Sequence, residues 1–222
     1  MAVKFRQSAH MGWYLMRQRL ARRERFPLIV ELEPLFQCNL ACSGCGKIQH
    51  PEHELRRRMP VEQAVGAVEE SGAPMVSIAG GEPLIHPEIH VIAAELIKRK
   101  RFVYLCTNAL LLERKLHNFE PSPYFAWAVH IDGLRERHDE SVEREGVFDK
   151  AVEAIKAAKA AGFRVTTNTT FFTNDSAKSI RDVLDFLNDD LEVDEMMISP
   201  AYAYEKAPDQ DHFLGVKQTR AL

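Results

Sequence analysis

An α/β fold, a partial (β/α)6 barrel of the TIM type behind an N-terminal amphipathic helix, is the architecture this sequence predicts. Three observations carry it. Six β-type runs alternate with helical ones from Phe26 onward, and strands separated by helices run parallel with right-handed crossovers. No GxGxxG follows the first run, which argues against a doubly wound sheet. Polar motifs recur after several different runs, as they do at the C-terminal ends of barrel strands. With six strands the barrel is partial and open along one side.

Residues 1–25 form the expected N-terminal segment. Lys4, Arg6, Arg17, Arg19, Arg22, Arg23 and Arg25 stand there against one acid, Glu24. Ala9, Trp13, Met16 and Leu20 recur at helical spacing, although Tyr14 and Leu15 fall off that face. Such a helix suits a membrane surface. The plainer alternative is a helix packed on the domain with its basic face in solvent.

Residues 26–222 form the expected barrel. Leu28 to Leu35 reads as the first strand. Pro60 to Glu70 is helical, with Val61, Ala64, Val65 and Val68 inward and Gly72 as the stop. Met75 to Ala79 is a strand, and Pro87 to Lys100 a helix burying Ile89, Ile92, Ala93, Leu96 and Ile97. Phe102 to Cys106 is the third strand, with a helix marked by Leu111, Leu112 and Leu116. Phe125 to Ile131 is the fourth. Val147 to Ala161 is the clearest helix, set by Phe148, Val152 and Ile155 and ended by Gly162. Arg164 to Phe171 is a strand, and Ser176 to Asn188 a helix with Ile180, Val183, Leu184 and Leu187. Glu195 to Ser199 is the sixth strand.

The bulk composition narrows the function. The 222 residues are 45% hydrophobic and 27% charged, enough for one domain with a sizeable core. A formal net charge of −3 gives no global basic field, so nucleic acid is not an expected partner. No stretch approaches the roughly 20 apolar residues that span a bilayer, and the N-terminus lacks the apolar core of a signal peptide. A cytoplasmic, reducing setting is expected. In that setting clustered thiols bind metal more often than they form disulfides.

Cys38, Cys42 and Cys45 fall in CNLACSGC, a C-x3-C-x2-C spacing on the loop after the first strand. Soft thiolates suit an iron–sulfur cluster, and three ligands for four irons leave one iron open for chemistry. A zinc site completed by His50 or His53 is the structural alternative. Gly80, Gly81, Glu82 and Pro83 follow the second strand, where a tight turn would also explain the glycine pair. Thr107 and Asn108 end the third strand, His130, Asp132 and Gly133 stand at the end of the fourth, and Asn168 lies on the fifth. Polar residues at strand ends also cap helices and close turns.

With these motifs in these places the chain resembles the radical S-adenosylmethionine (SAM) superfamily from Phe26 on. That resemblance implies a [4Fe–4S] cluster on Cys38, Cys42 and Cys45, with SAM bound at the open iron. It implies that Gly80 and Gly81 let backbone approach the ligand, and that Glu82 receives the methionyl ammonium. Asn108, His130, Asp132 and Asn168 become further SAM contacts, Asp132 more readily than His130, which replaces the usual serine. Ala109 takes the place of a usual glycine. Gly44 departs from the pattern, because an aromatic residue commonly precedes the last cysteine.

A narrower resemblance runs through FQCNLACSGCGKIQ, SIAGGEPLIH, VYLCTNALLLERKL, FEPSPYF and ISPAYAYEKAPDQ. These segments are similar to the adenosyl hopane synthase family of hopanoid biosynthesis, whose members are usually longer. It implies a transferase of lipid metabolism that adds the 5′-deoxyadenosyl radical to the terminal alkene of diploptene, giving adenosylhopane. A polycyclic terpenoid substrate, an electron donor such as flavodoxin or ferredoxin, and peripheral contact with the inner membrane surface come with it. The tertiary radical left by addition needs a hydrogen atom. Cys106, the one thiol outside the cluster loop, is the expected donor; otherwise it is a small apolar side chain on a buried strand. The alternative activity is hydrogen abstraction, as in a peptide-modifying enzyme.

Overall fold

The computed structural model describes residues 2–219. Met1 and residues 220–222, the outermost of the two expected segments, lie outside it, as does the Lys4 side chain. Six strands form one parallel sheet in the order β1-β2-β3-β4-β5-β6: β1 Ile29–Leu32, β2 Met75–Ile78, β3 Phe102–Thr107, β4 Phe125–His130, β5 Val165–Phe171 and β6 Glu195–Pro200. Each strand pairs with the next in sequence, so the sheet curls in one direction as a half-barrel with its two edges apart. The expected partial barrel is the observed one.

The described helices are α1 Ala2–Leu20, α2 Glu52–Leu55, α3 Val61–Ser71, α4 Ile89–Lys98, α5 Leu112–Lys115, α6 Arg135–Ser141, α7 Val147–Ala160, α8 Ala177–Asp185 and α9 Val216–Thr219. The long crossover helices cover the convex face. Ala64, Val65 and Val68 of α3, Ile92 and Leu96 of α4, and Ala154, Ile155 and Ala158 of α7 join Ile78, Leu105, Trp127 and Val165 of the strands in one core. Trp127 is fully buried there, edge-on to Phe125 and Phe119. Alternation along each strand then turns the other residues to the concave side. Phe102, Tyr104, Ala126 and Ala128 make a small apolar floor there, with Met75, Cys106 and Tyr124 against it.

Helix α1 lies across the N-terminal ends of the strands. Its Gln7 amide donates to the Tyr104 hydroxyl (2.8 Å), and Arg164 donates to the same hydroxyl (2.6 Å), to the Gln7 side-chain oxygen (3.2 Å) and to Glu195 (3.0 Å). His10 meets the Phe102 ring edge-on at 5.4 Å. The Tyr14 hydroxyl donates to the Pro27 carbonyl at 2.7 Å. The helix therefore packs through its polar side. Of the expected apolar stripe, Trp13 is 63% and Leu20 76% exposed, which reverses the alternative in which only the basic face meets solvent.

Candidate active site

Every residue singled out from the sequence as catalytic, cofactor-binding or cluster-binding lines one cavity of about 480 Å³ at the C-terminal ends of the strands. The loop after β1 brings Cys38, Cys42 and Cys45; the β2 end brings Gly80, Gly81 and Glu82. Cys106 and Asn108 come from the β3 end, His130 and Asp132 from β4, and Asn168 from β5.

The cysteine loop is held by the strand ends beside it. The Gly81 N–H donates to the Leu35 carbonyl (3.0 Å) and the Glu82 N–H to the Gln37 carbonyl (2.9 Å). A Cβ at Gly81 would lie 2.2 Å from the Gln37 oxygen, and one at Gly80, whose φ is +109°, 2.3 Å from the Leu35 oxygen. Both glycines are thus required by the approach of β2 to the cluster loop, whatever ligand they also face. Asn108 completes the seam, its amide donating to Asn39 (2.7 Å) and lying 3.8 Å from the Cys38 sulfur.

All three cysteines are free and half-buried. Burial pushes the Cys38 thiol up to about 11 and Cys42 to about 12, with the neighbouring thiols adding to both. Soft donors that resist ionisation alone suit a centre whose irons supply the positive charge, and metal binding deprotonates such thiols outright. Three soft thiols on one loop bordering the cavity are the donor chemistry that an iron–sulfur cluster requires. The histidines of the zinc alternative are used elsewhere: His50 stacks on Phe36 at 4.7 Å, and His53 lies exposed beside Glu54.

Glu82 is the polar hub of the wall. Its carboxylate accepts from the Leu84 N–H (3.0 Å), the Thr107 hydroxyl (2.9 Å) and the Asn108 N–H (2.9 Å). Two of these bonds fall on Oε1 and one on Oε2, so acceptor capacity remains on Oε2. Burial nevertheless holds its pKa above the usual carboxylate range. A cation placed in the cavity would offset that cost.

His130 and Asp132 divide the work of the β4 end. Asp132 is almost fully buried, and its oxygens are taken by His130 Nε2 (2.8 Å), the Ser141 hydroxyl (2.5 Å) and the Thr170 N–H (2.9 Å). Burial alone would raise Asp132 and lower His130; their mutual attraction outweighs it, holding Asp132 below and His130 above their ordinary values. His130, partly open to the cavity, is the better-presented of the two. The sequence placed them in the opposite order.

Cys106 sits on the concave side of β3, its sulfur 3.6 Å from the Ser77 hydroxyl. Burial raises its pKa and keeps it a neutral thiol. Several lining residues escaped the sequence reading, notably Ser141, Lys47 and Phe172. Phe172 occupies the space that Gly44 leaves open: a Cβ at Gly44 would be 3.1 Å from its ring and 3.0 Å from His212. Arg137 lies over the same ring at 5.3 Å and pairs with the buried Asp175 at 3.0 Å. An aromatic wall therefore exists beside the last cysteine, supplied by the residue just after β5. Only the missing aromatic at position 44 hinted at it.

The family model described as the Radical SAM superfamily matches residues 32–187. GTP 3′,8-cyclase 1 of Mycobacterium tuberculosis is 27% identical over 168 residues, covering 71% of this chain and 47% of its own length. The Fe-coproporphyrin III synthase of Methanosarcina barkeri is 23% identical over 151 residues, covering 66% and 37%. The chain thus spans about half the length, or less, of these curated relatives. Among solved structures, Streptococcus suis SuiB bound to S-adenosylmethionine superposes with a TM-score of 0.75 at 20% identity, over 88% of this chain and 46% of its own. Native anSMEcpe with bound AdoMet gives 0.57 at 19% identity, over 82% and 56%. At these identities the likeness is one of fold.

Proposed function

The chain belongs to the radical SAM superfamily, and from that premise we propose that it joins the 5′-deoxyadenosyl group of SAM to the terminal alkene of diploptene, as an adenosyl hopane synthase does. The superfamily uses a [4Fe–4S] cluster and SAM and needs an electron donor, and bound to this chain that pair would supply the 5′-deoxyadenosyl radical. The remaining chemistry belongs to the protein's own residues. Cys38, Cys42 and Cys45 would hold the cluster, Glu82 Oε2 the ammonium of SAM, and His130, fixed by Asp132, the cofactor's polar atoms beside Asn108 and Asn168.

The observation that carries the reading is a neutral thiol, Cys106, in the wall of the cavity that the three cluster cysteines border. Addition of a carbon radical to a 1,1-disubstituted alkene forms one C–C bond and leaves a tertiary carbon radical. Cys106 then gives its S–H hydrogen atom to that carbon, and the thiyl left behind takes one electron from the donor and one proton from water. The sequence segments that resemble the hopanoid family support the choice of alkene.

Anaerobic incubation of cluster-loaded protein with SAM, reductant and diploptene should give a saturated adenosylated lipid by mass spectrometry. Free 5′-deoxyadenosine without that lipid would instead support hydrogen abstraction, as in a peptide-modifying enzyme. Cys106→Ala is expected to lower the saturated product at least tenfold while SAM binding persists. Normal product at a normal rate from that variant would remove the thiol from the mechanism.

A further inference from the structure

Helix α1 has two working sides, and only one is used inside the molecule. Gln7, His10 and Tyr14 make the contacts to the barrel described above, and Gln18 is 7% exposed on the same side. At ~100° per residue, Phe5, Ala9, Trp13, Met16 and Leu20 fall within one arc of about 80° on the opposite side. Phe5 is 78%, Trp13 63%, Met16 47% and Leu20 76% exposed. The helix cannot roll to bury them without giving up the bonds of Gln7 and Tyr14.

The charges bordering this stripe have one sign. Arg19 lies along one edge and Arg6 and Arg17 along the other, with Arg22, Arg23 and Arg25 just beyond the C-terminus. Glu24 is the only acid between Ala2 and Arg25. Apolar side chains that include a tryptophan, rimmed by arginines, match the boundary of a bilayer with anionic headgroups. A second copy of this chain would meet the patch with the same arginines, which repel one another.

We infer that the outward stripe of α1, Phe5–Trp13–Met16–Leu20 with its arginine border, seats the protein on an anionic lipid surface. The site is independent of the substrate proposed above. Because α1 crosses the N-terminal ends of the strands, docking leaves the cavity mouth at their C-terminal ends uncovered. No described helix is long and apolar enough to cross a membrane; the contact inferred here is interfacial.

The test is flotation of the full chain with phosphatidylcholine vesicles, with and without phosphatidylglycerol, together with tryptophan emission. The second tryptophan, Trp127, is fully buried, so a vesicle-induced blue shift reports Trp13. Binding to the anionic vesicles alone, a blue shift, and weakening by added salt are expected. Arg17→Glu with Arg19→Glu should reduce anionic-vesicle binding on the order of tenfold or more, and Trp13→Ser should abolish the shift. SAM cleavage without vesicles should not change in either variant, so a failure of docking is distinguishable from a failure of the catalytic reading. Equal binding to neutral vesicles, or undiminished binding by the arginine variant, would overturn the proposal. So would sedimentation velocity showing a dimer that Trp13→Ser dissociates.

Discussion

His138 is the residue whose environment makes the plainest demand on pH. It is buried behind the His130–Asp132 pair, where its Nδ1 accepts the Asp132 N–H at 3.2 Å. Burial, with the nearby His130 charge adding to it, drives its pKa down to about 4. The unfolded chain takes up a proton near pH 6.5 and the folded one does not, so stability is complete above that value and falls as pH drops. Urea melts from pH 7 to pH 4 should show a loss on the order of 3 kcal/mol from this residue. His138→Gln should flatten that slope, and an unchanged slope would place the acid sensitivity elsewhere. Around it the sequence was only half legible. The motif residues at the strand ends stood out because polar side chains interrupt apolar runs there. Phe172 and Ser141 did not, because an aromatic and a serine carry no mark of the side from which they enter a cavity.

At the scale of elements, the seam between β2 and the cluster loop bears most on function. Gly81→Ala would drive a methyl group into the Gln37 carbonyl. The expected cost is about 3 kcal/mol or more, by thermal melting, with loss of iron retention after anaerobic reconstitution. Retention of both would mean that the loop can yield. The strands and long helices were legible because their apolar periods are clean, as in α7, where Phe148, Ala151, Ile155 and Ala158 are buried on one side. β1 is shorter than the pattern from Leu28 to Leu35 implies, since Glu33 turns to pair with Lys47 and Pro34 has no N–H for a ladder. Helix α6 was missed for a different reason. RERHDES has no apolar stripe, and its buried residues, His138 and Ser141, are polar ones that serve the site. The helix predicted to Asn188 ends at Asp185 and runs on as a π-turn over Phe186–Asp190, a distinction that hydrophobic spacing does not encode.

Across the whole molecule, the Arg164 cluster ties the N-terminal helix to three strands. Arg164 is nearly buried, and its partners Glu195, Tyr104 and Gln7 lie 31, 60 and 157 residues away in sequence. No local pattern could announce such a set. Arg164→Met removes one side of an ion pair whose Glu195 end is about one-third exposed, so the cost should be moderate, about 2–4 kcal/mol, as a lower urea midpoint. A change under half a kcal/mol would mean that water replaces the guanidinium freely. Because the strands form a crescent whose two rims never meet, its width is not fixed by hydrogen bonding around a closed ring. The α1 clasp braces the far half of that crescent from below, linking β3 to the start of β5 and β6. Loosening it would free the β5–β6 half of the crescent to swing, and with it the width of the open side.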